Sequence, residues 1–371
     1  MRIYLDNNAT TAIHPDVLSV LESALRDVFG NPSSIHREGQ TARRMIEDAR
    51  ESVAQRIGAT AREVVFTSGG TESNNAAIFG AVSRSERSHI VTTAIEHPSV
   101  AEAVAELERR GSAVTRIAPT RDGVVRAEEV IAAMRAETRL VTVMMVNNET
   151  GVVQPVQAVG AAARARGIHF HCDAVQAAGK IAIDVDALQC DTLALSAHKL
   201  HAPKGIGALY VRRGTTMSSH LVGGAQERRR RAGTENVPLA AAFGAAAALP
   251  DASEQVAALR DRFEAGLRAT SLALTINGAD VPRVPNTSNI TFHGADGEGI
   301  VIALDLSGVA VSTGSACSSG RVEPSPVLLA MGLSPEDARA TVRFSMSRFT
   351  TEEEVDRVVE LLAELVPRCV K

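Results

Sequence analysis

The 371-residue chain is 45% hydrophobic and carries a formal charge of −4. Its length allows two packed domains, or one large domain with a smaller one, and the mild negative charge argues against a general attraction to nucleic acid or anionic membrane. No apolar run approaches the ~20 residues a bilayer span needs, the N-terminal MRIYLDNNATT lacks a signal-peptide pattern, and Cys172, Cys190, Cys317 and Cys369 form no CxxC pair or zinc spacing, which points to a reducing cytoplasm.

Glu63–Thr67 (EVVFT) reads as a strand, and helical sequence follows from Thr71. Between them lies TSGGTESNN (Thr67–Asn75). Its glycines let the backbone approach an anion, and a helix N-terminus offers free N–H groups, so a phosphate would sit well at this turn. An ordinary strand–helix turn is the plainer alternative. His89–Thr93 is the next strand, and IEHPSV places His97 at its end, before a helix over Ser99–Arg110. There His97 can stack on a planar ring, act as acid or base, or simply cap the helix. Strand Leu140–Val146 runs into NNETG, a turn rich in amide and carboxylate groups.

Strand Ile168–Cys172 ends in HCDAVQ. Asp173 would sit at the sheet's carboxyl edge, where a carboxylate needs a cation or strong donors; a helix-capping role is the alternative. Strand Thr192–Ser196 runs into SAHKLHAPKG, placing Lys199 beside Ser196 and His198. That lysine can form a Schiff base, or be an ordinary surface lysine. After strand Ala208–Val211 comes the basic QERRRRAGTEN, either a solvated loop or an anion site at a subunit contact. Beyond Pro250 the pattern changes to helix Ala252–Ala269, strands Asn289–Phe292 and Val309–Ser312, the flexible stretch STGSACSSG, and helix Thr350–Val366 with a Thr351/Glu354 capping box. Strand–helix alternation predicts an α/β fold, a large domain with a mostly parallel central sheet, and then a smaller α+β domain. We place the large domain at 15–250 and the small one at 1–14 with 251–371.

A phosphate turn, a strand-end histidine, a strand-end aspartate and a strand-end lysine, in that order on one α/β scaffold, are the four parts that pyridoxal 5'-phosphate needs. The segments YLDNNATT, TSGGTES, EHPSV, NNETG, DAVQ, HKLHAPKG, RRAGTEN, PNTSNI, STGSAC and VRFSMSRFTTEEE resemble, over nearly the whole chain, the cysteine desulfurases of the NifS/IscS branch. These are pyridoxal-phosphate-dependent transferases of fold type I. The resemblance implies a catalytic set of Lys199 (Schiff base), Cys317 (persulfide), His97 (ring stacking) and Asp173 (pyridine nitrogen). It also implies Gln176 at the ring hydroxyl, and Gly70, Thr71, Ser196 and His198 at the phosphate. Thr234 would reach in from the other subunit of a homodimer. Asn148 would touch cofactor and substrate, and Arg343 would bind the substrate carboxylate. The reaction implied is L-cysteine to L-alanine, with sulfur handed through Cys317 to an acceptor protein, an iron–sulfur scaffold among the candidates. Selenocysteine lysis and other fold-type I chemistry are the alternatives, and a non-catalytic scaffold is the remaining one. Ala197 and Thr313 stand where many members have Gly and Ser, and the short C-terminus lacks the extended tail with which housekeeping members dock a scaffold.

Overall fold

Short aliphatic and β-branched runs, buried along their whole length, form the strands at the centre of the molecule. The computed structural model describes residues 2–82, 88–313 and 323–370. Its strands are β1 (Ile3–Tyr4), β2 (Val64–Thr67), β3 (His89–Thr93), β4 (Ala113–Ile117), β5 (Thr138–Met144), β6 (His169–Asp173), β7 (Thr192–Ser196), β8 (Gly207–Val211), β9 (Leu274–Ile276), β10 (Thr287–Phe292), β11 (Val309–Ala310) and β12 (Thr341–Ser345). Seven of them make one sheet in the order β2-β8-β7-β6-β5-β3-β4. Strand β8 runs antiparallel to both neighbours, and the other pairings are parallel. The predicted mixed α/β fold with a mostly parallel sheet is the fold observed.

The strand order puts the carboxyl ends of β3, β5, β6 and β7 side by side, the edge where open α/β sheets bind ligands. Register aligns Met144 with Asp173 and Asp173 with Ala194. Helix Gly70–Ala81 lies across β5 to β8. Its entry is tight because a Cβ at Gly207 would come within 2.7 Å of Gly69 backbone atoms. Only glycine lets the turn rest on β8.

A second sheet, β12-β10-β9, and the parallel pair β1-β11 belong to a separate apolar cluster that includes Leu5, Phe263, Ile290, Phe344, Val355 and Leu362. Phe263 and Phe344 pack with ring centroids 4.9 Å apart and ring planes tilted by 52°. The larger cluster, around the seven-stranded sheet, also takes in Val284, Val327, Leu328 and Met331 from the C-terminal third. Helix Glu352–Leu365 begins at the predicted capping box, with Thr351 and Glu354 bonded reciprocally. The expected helix 252–269 is Ser253–Arg268.

Candidate active site

Each predicted residue at the sheet edge is placed by the end of a strand. Asp173 is the last residue of β6, 4% exposed, and accepts from Asn74 Nδ2 at 2.7 Å and from the Val175 N–H at 3.0 Å. Among the described residues no cationic side chain forms an ion pair with it; the Lys199 ammonium acts on it only at longer range. His97 caps helix Pro98–Arg109, its Nδ1 accepting from the Ser99 N–H at 3.1 Å and lying 2.8 Å from Ser99 Oγ. His97 therefore caps the helix, and its ring also lines a surface cleft with Thr71, Asn75 and Glu102. At the phosphate turn, a Cβ on Gly70 would meet Val175 Cγ2 at 2.8 Å and Ser196 Cβ at 3.4 Å. Gly70 and Ser196 thus share one wall, Thr71 lies exposed on the first turn of the helix, and His198 Nδ1 is 3.2 Å from Thr10 Oγ1. Burial, with Lys199 and Lys204 nearby, pushes His198 down to about 4, leaving a neutral imidazole.

Lys199 lies at the end of the turn after β7, its ammonium donating to the carbonyls of Asn8 and Ala9. Burial, reinforced by the Arg343 charge and opposed by Asp6 and Asp173, lowers its pKa to about 8. Gln176 donates to the Asn8 carbonyl at 2.9 Å. Arg343, in the middle of β12, is 4% exposed; it donates to the Asn148 carbonyl at 3.0 Å and to Asp6 Oδ1 at 2.7 Å, and among the described residues its Nε has no partner. Thr234 is exposed on the segment before helix Val237–Ala247, and among the described residues it makes no hydrogen bond to this cluster. Cys317 lies outside the described residues. Ser312, five residues before it, exchanges backbone hydrogen bonds with Arg343, at 2.7 and 3.3 Å. On the other side, Ser325 donates to the buried Glu149 at 2.5 Å.

Several groups at the site were not singled out from sequence. Lys180, fully buried, donates to Asn8 Oδ1 and Gln176 Oε1, and burial together with Lys199 and Arg343 holds its pKa well below the usual lysine value. Asn8 joins Lys180, Asn148, Asn286 and Thr287 through its side-chain amide. Glu96 bridges Thr93 and the Met144 N–H, and burial raises its pKa to about 8. Asn74 and Ser99 support Asp173 and His97. Apart from the quoted NNATT, EHPSV and TESNN segments, only the fold could reveal these meetings. The basic run is not a plain solvated loop: Glu227 forms a buried bidentate pair with Arg50 at 2.6 and 2.9 Å, and Arg231 pairs with Glu72 at the phosphate turn at 2.8 Å.

A buried carboxylate lacking a cation, an amine poised near neutrality, a glycine-lined helix entrance and a buried guanidinium with a spare N–H suit pyridoxal phosphate and an amino-acid carboxylate. The fold and this set define a pyridoxal-phosphate enzyme of fold type I. Residues 3–358 match the family described as Aminotransferase class-V. The chain is 46% identical over 372 residues to a cysteine desulfurase of Nostoc sp., covering 99% of this chain and 93% of the relative. A solved NifS-like protein superposes with a TM-score of 0.92 at 34% identity, covering 99% of this chain and 100% of that one. The structure described as SspA in complex with cysteine gives 0.85 at 37%, covering 95% and 100%. The chain belongs to the cysteine desulfurases of the class-V aminotransferase family.

Proposed function

We propose that this chain converts L-cysteine to L-alanine and carries the sulfur away as a persulfide on Cys317. The observation that carries the reading is the convergence of Lys199 and Asp173, at the edge of the large sheet, with Arg343 from the small one, and Ser312, five residues before Cys317, is backbone-paired to Arg343. When bound, pyridoxal phosphate supplies an electron sink for the substrate Cα. Lys199 holds the cofactor, and then as a free amine moves the proton at Cα. With the cofactor bound, Asp173 would keep the proton on the ring nitrogen, Gln176 would be the partner of the ring hydroxyl, and His97 would be the stacking group. Gly70, Thr71, Ser196 and His198 hold the phosphate. Arg343 takes the substrate carboxylate on its fork, with Asn148 beside it. The Cys317 thiolate attacks the substrate sulfur. The Cβ–S bond breaks, an S–S bond forms, and the carbon product, with one proton gained at Cβ and one at Cα, leaves as alanine.

Thr234, exposed within its own subunit, serves the phosphate of a partner copy in a homodimer. A large domain at 15–250 and a small one formed by 1–14 and 251–371 are the division proposed; the separate cluster around Phe263 and Phe344 supports it, while Val284, Val327, Leu328 and Met331 pack with the large sheet. The persulfide is delivered to an acceptor protein in the cytoplasm, an iron–sulfur scaffold being one candidate; among the described residues no helix is long and apolar enough to cross a membrane. Purified protein given L-cysteine should release L-alanine, and Lys199→Ala should abolish release. Faster turnover of selenocysteine than cysteine would favour lyase chemistry, and absence of a yellow chromophore would overturn the whole reading.

A further inference from the structure

Behind Asp173 and His97 lies a chain of polar groups, and the arm from Asp173 through Asn74 and Ser99 to His97 has its hydrogen-bond directions fixed by the carboxylate. Asn74 Nδ2 is 2.7 Å from Asp173 Oδ2 and 2.8 Å from Ser99 Oγ, while Asn74 Oδ1 is 2.9 Å from His171 Nε2. His171 Nδ1 is 3.0 Å from Thr192 Oγ1, which is also 3.0 Å from His169 Nε2. Asp173, as a carboxylate, only accepts, so the amide of Asn74 must face it. The Asn74 oxygen then accepts from His171 Nε2–H. Full burial pushes His171 down to about 3, so its ring is neutral and its Nδ1 accepts from Thr192. Along the other arm, Ser99 Oγ receives the second Asn74 N–H and has one hydrogen left to give. Among the described residues its only partner for that hydrogen is His97 Nδ1, which also faces the Ser99 backbone N–H.

Two donors therefore converge on His97 Nδ1. A proton on that atom would set a donor against a backbone donor 3.1 Å away. Burial and the Lys199 charge also oppose a cationic ring, with Asp173 pulling the other way; Glu102, Glu106 and Arg109 line the same cleft. We propose that His97 is locked as the neutral Nε2–H tautomer by a relay from Asp173 through Asn74 and Ser99. It then presents a hydrogen-bond donor, and no basic nitrogen, to the cleft. The inference rests on the proposed site. It deepens that reading by removing His97 as a general base and leaving Lys199 to take the Cα proton. Asn74, Ser99 and His171 are positioning residues: they touch no reacting atom, and they fix the ring that does.

Protein labelled with ¹⁵N-histidine tests this, the His97 signals being assigned by their loss in His97→Gln. Spectra are taken with and without pyridoxal phosphate, whose uptake is read by its visible absorbance in the same samples. The expected result at neutral pH is a pyridine-type Nδ1 and a pyrrole-type Nε2 in both states. Ser99→Ala, which deletes one of the two donors, should convert the single form into a tautomer mixture, and Ser99→Thr should restore the single form. A proton on Nδ1, a cationic ring, or a Ser99→Ala spectrum identical to the unsubstituted protein overturns the proposal. Failure to take up pyridoxal phosphate would instead count against the site reading, and the tautomer remains measurable in that case.

Discussion

The amine of Lys199 is where the site's electrostatics can be measured most cleanly. Burial and Arg343 bring it from an ordinary 10.5 to about 8. At pH 7.5 roughly a quarter of the apoprotein then carries a free amine, against about one molecule in a thousand for an unperturbed lysine. The charged form is disfavoured on folding by on the order of 3 kcal/mol. Because the folded value lies below the unfolded one, this penalty is complete below pH 8 and fades as pH rises from 8 to 10.5. Covalent capture of pyridoxal phosphate needs the neutral amine. Its rate, followed by visible absorbance after mixing with apoprotein, should rise about tenfold per pH unit up to pH 8 and then level off. Arg343→Gln removes the second-largest cause of the depression and should move the midpoint upward. A midpoint near 10 in the unsubstituted protein, or an Arg343→Gln midpoint that stays put or falls, would refute the electrostatic reasoning.

Asp173→Asn should keep much of the cofactor yet lose turnover by about 100-fold or more, since an amide does not hold a proton on the ring nitrogen; near-normal kcat would reduce Asp173 to a cap for Val175. Glu227→Ala leaves the Arg50 guanidinium and the Phe66 N–H without their buried acceptor, and it should cost about 3–5 kcal/mol in chemical denaturation. Mixing Lys199→Ala with Thr234→Ala subunits should give heterodimers with one doubly damaged and one intact site, and so regained activity. Absence of regain would place Thr234 within its own subunit.

How much of this was legible in the chain follows from what each residue answers to. Strands β2, β3, β6, β7 and β8 stand where aliphatic runs put them, because burial on both faces leaves little else those runs can do. The edge strand Ala113–Ile117 was not foreseen: half of it faces water and it carries Arg116, so its pattern resembles a loop. Strand β12 (TVRFS) was not foreseen either: only Val342 and Phe344 are apolar, and the burial of Arg343 between them depends on Asp6 and Asn148 from distant segments. Helix Val237–Ala247 is almost entirely alanine and other apolar residues, which erases the helical stripe. Asp173, His97 and Lys199 were visible because each lies at, or within four residues of, the carboxyl end of a strand. The groups that tune them, Asn74, Asn8, Lys180 and Glu96, come together only through folding.

The central claim is that sulfur leaves L-cysteine for Cys317. Brief incubation with L-cysteine, alkylation of the thiols and peptide mass mapping test it directly. The peptide containing Cys317 should gain one sulfur atom, in step with alanine release, and Cys317→Ala should bind the cofactor while making neither persulfide nor more than a trace of alanine. Sulfur mapped to Cys172, Cys190 or Cys369, or a Cys317→Ala variant releasing alanine at the unsubstituted rate, would contradict the account.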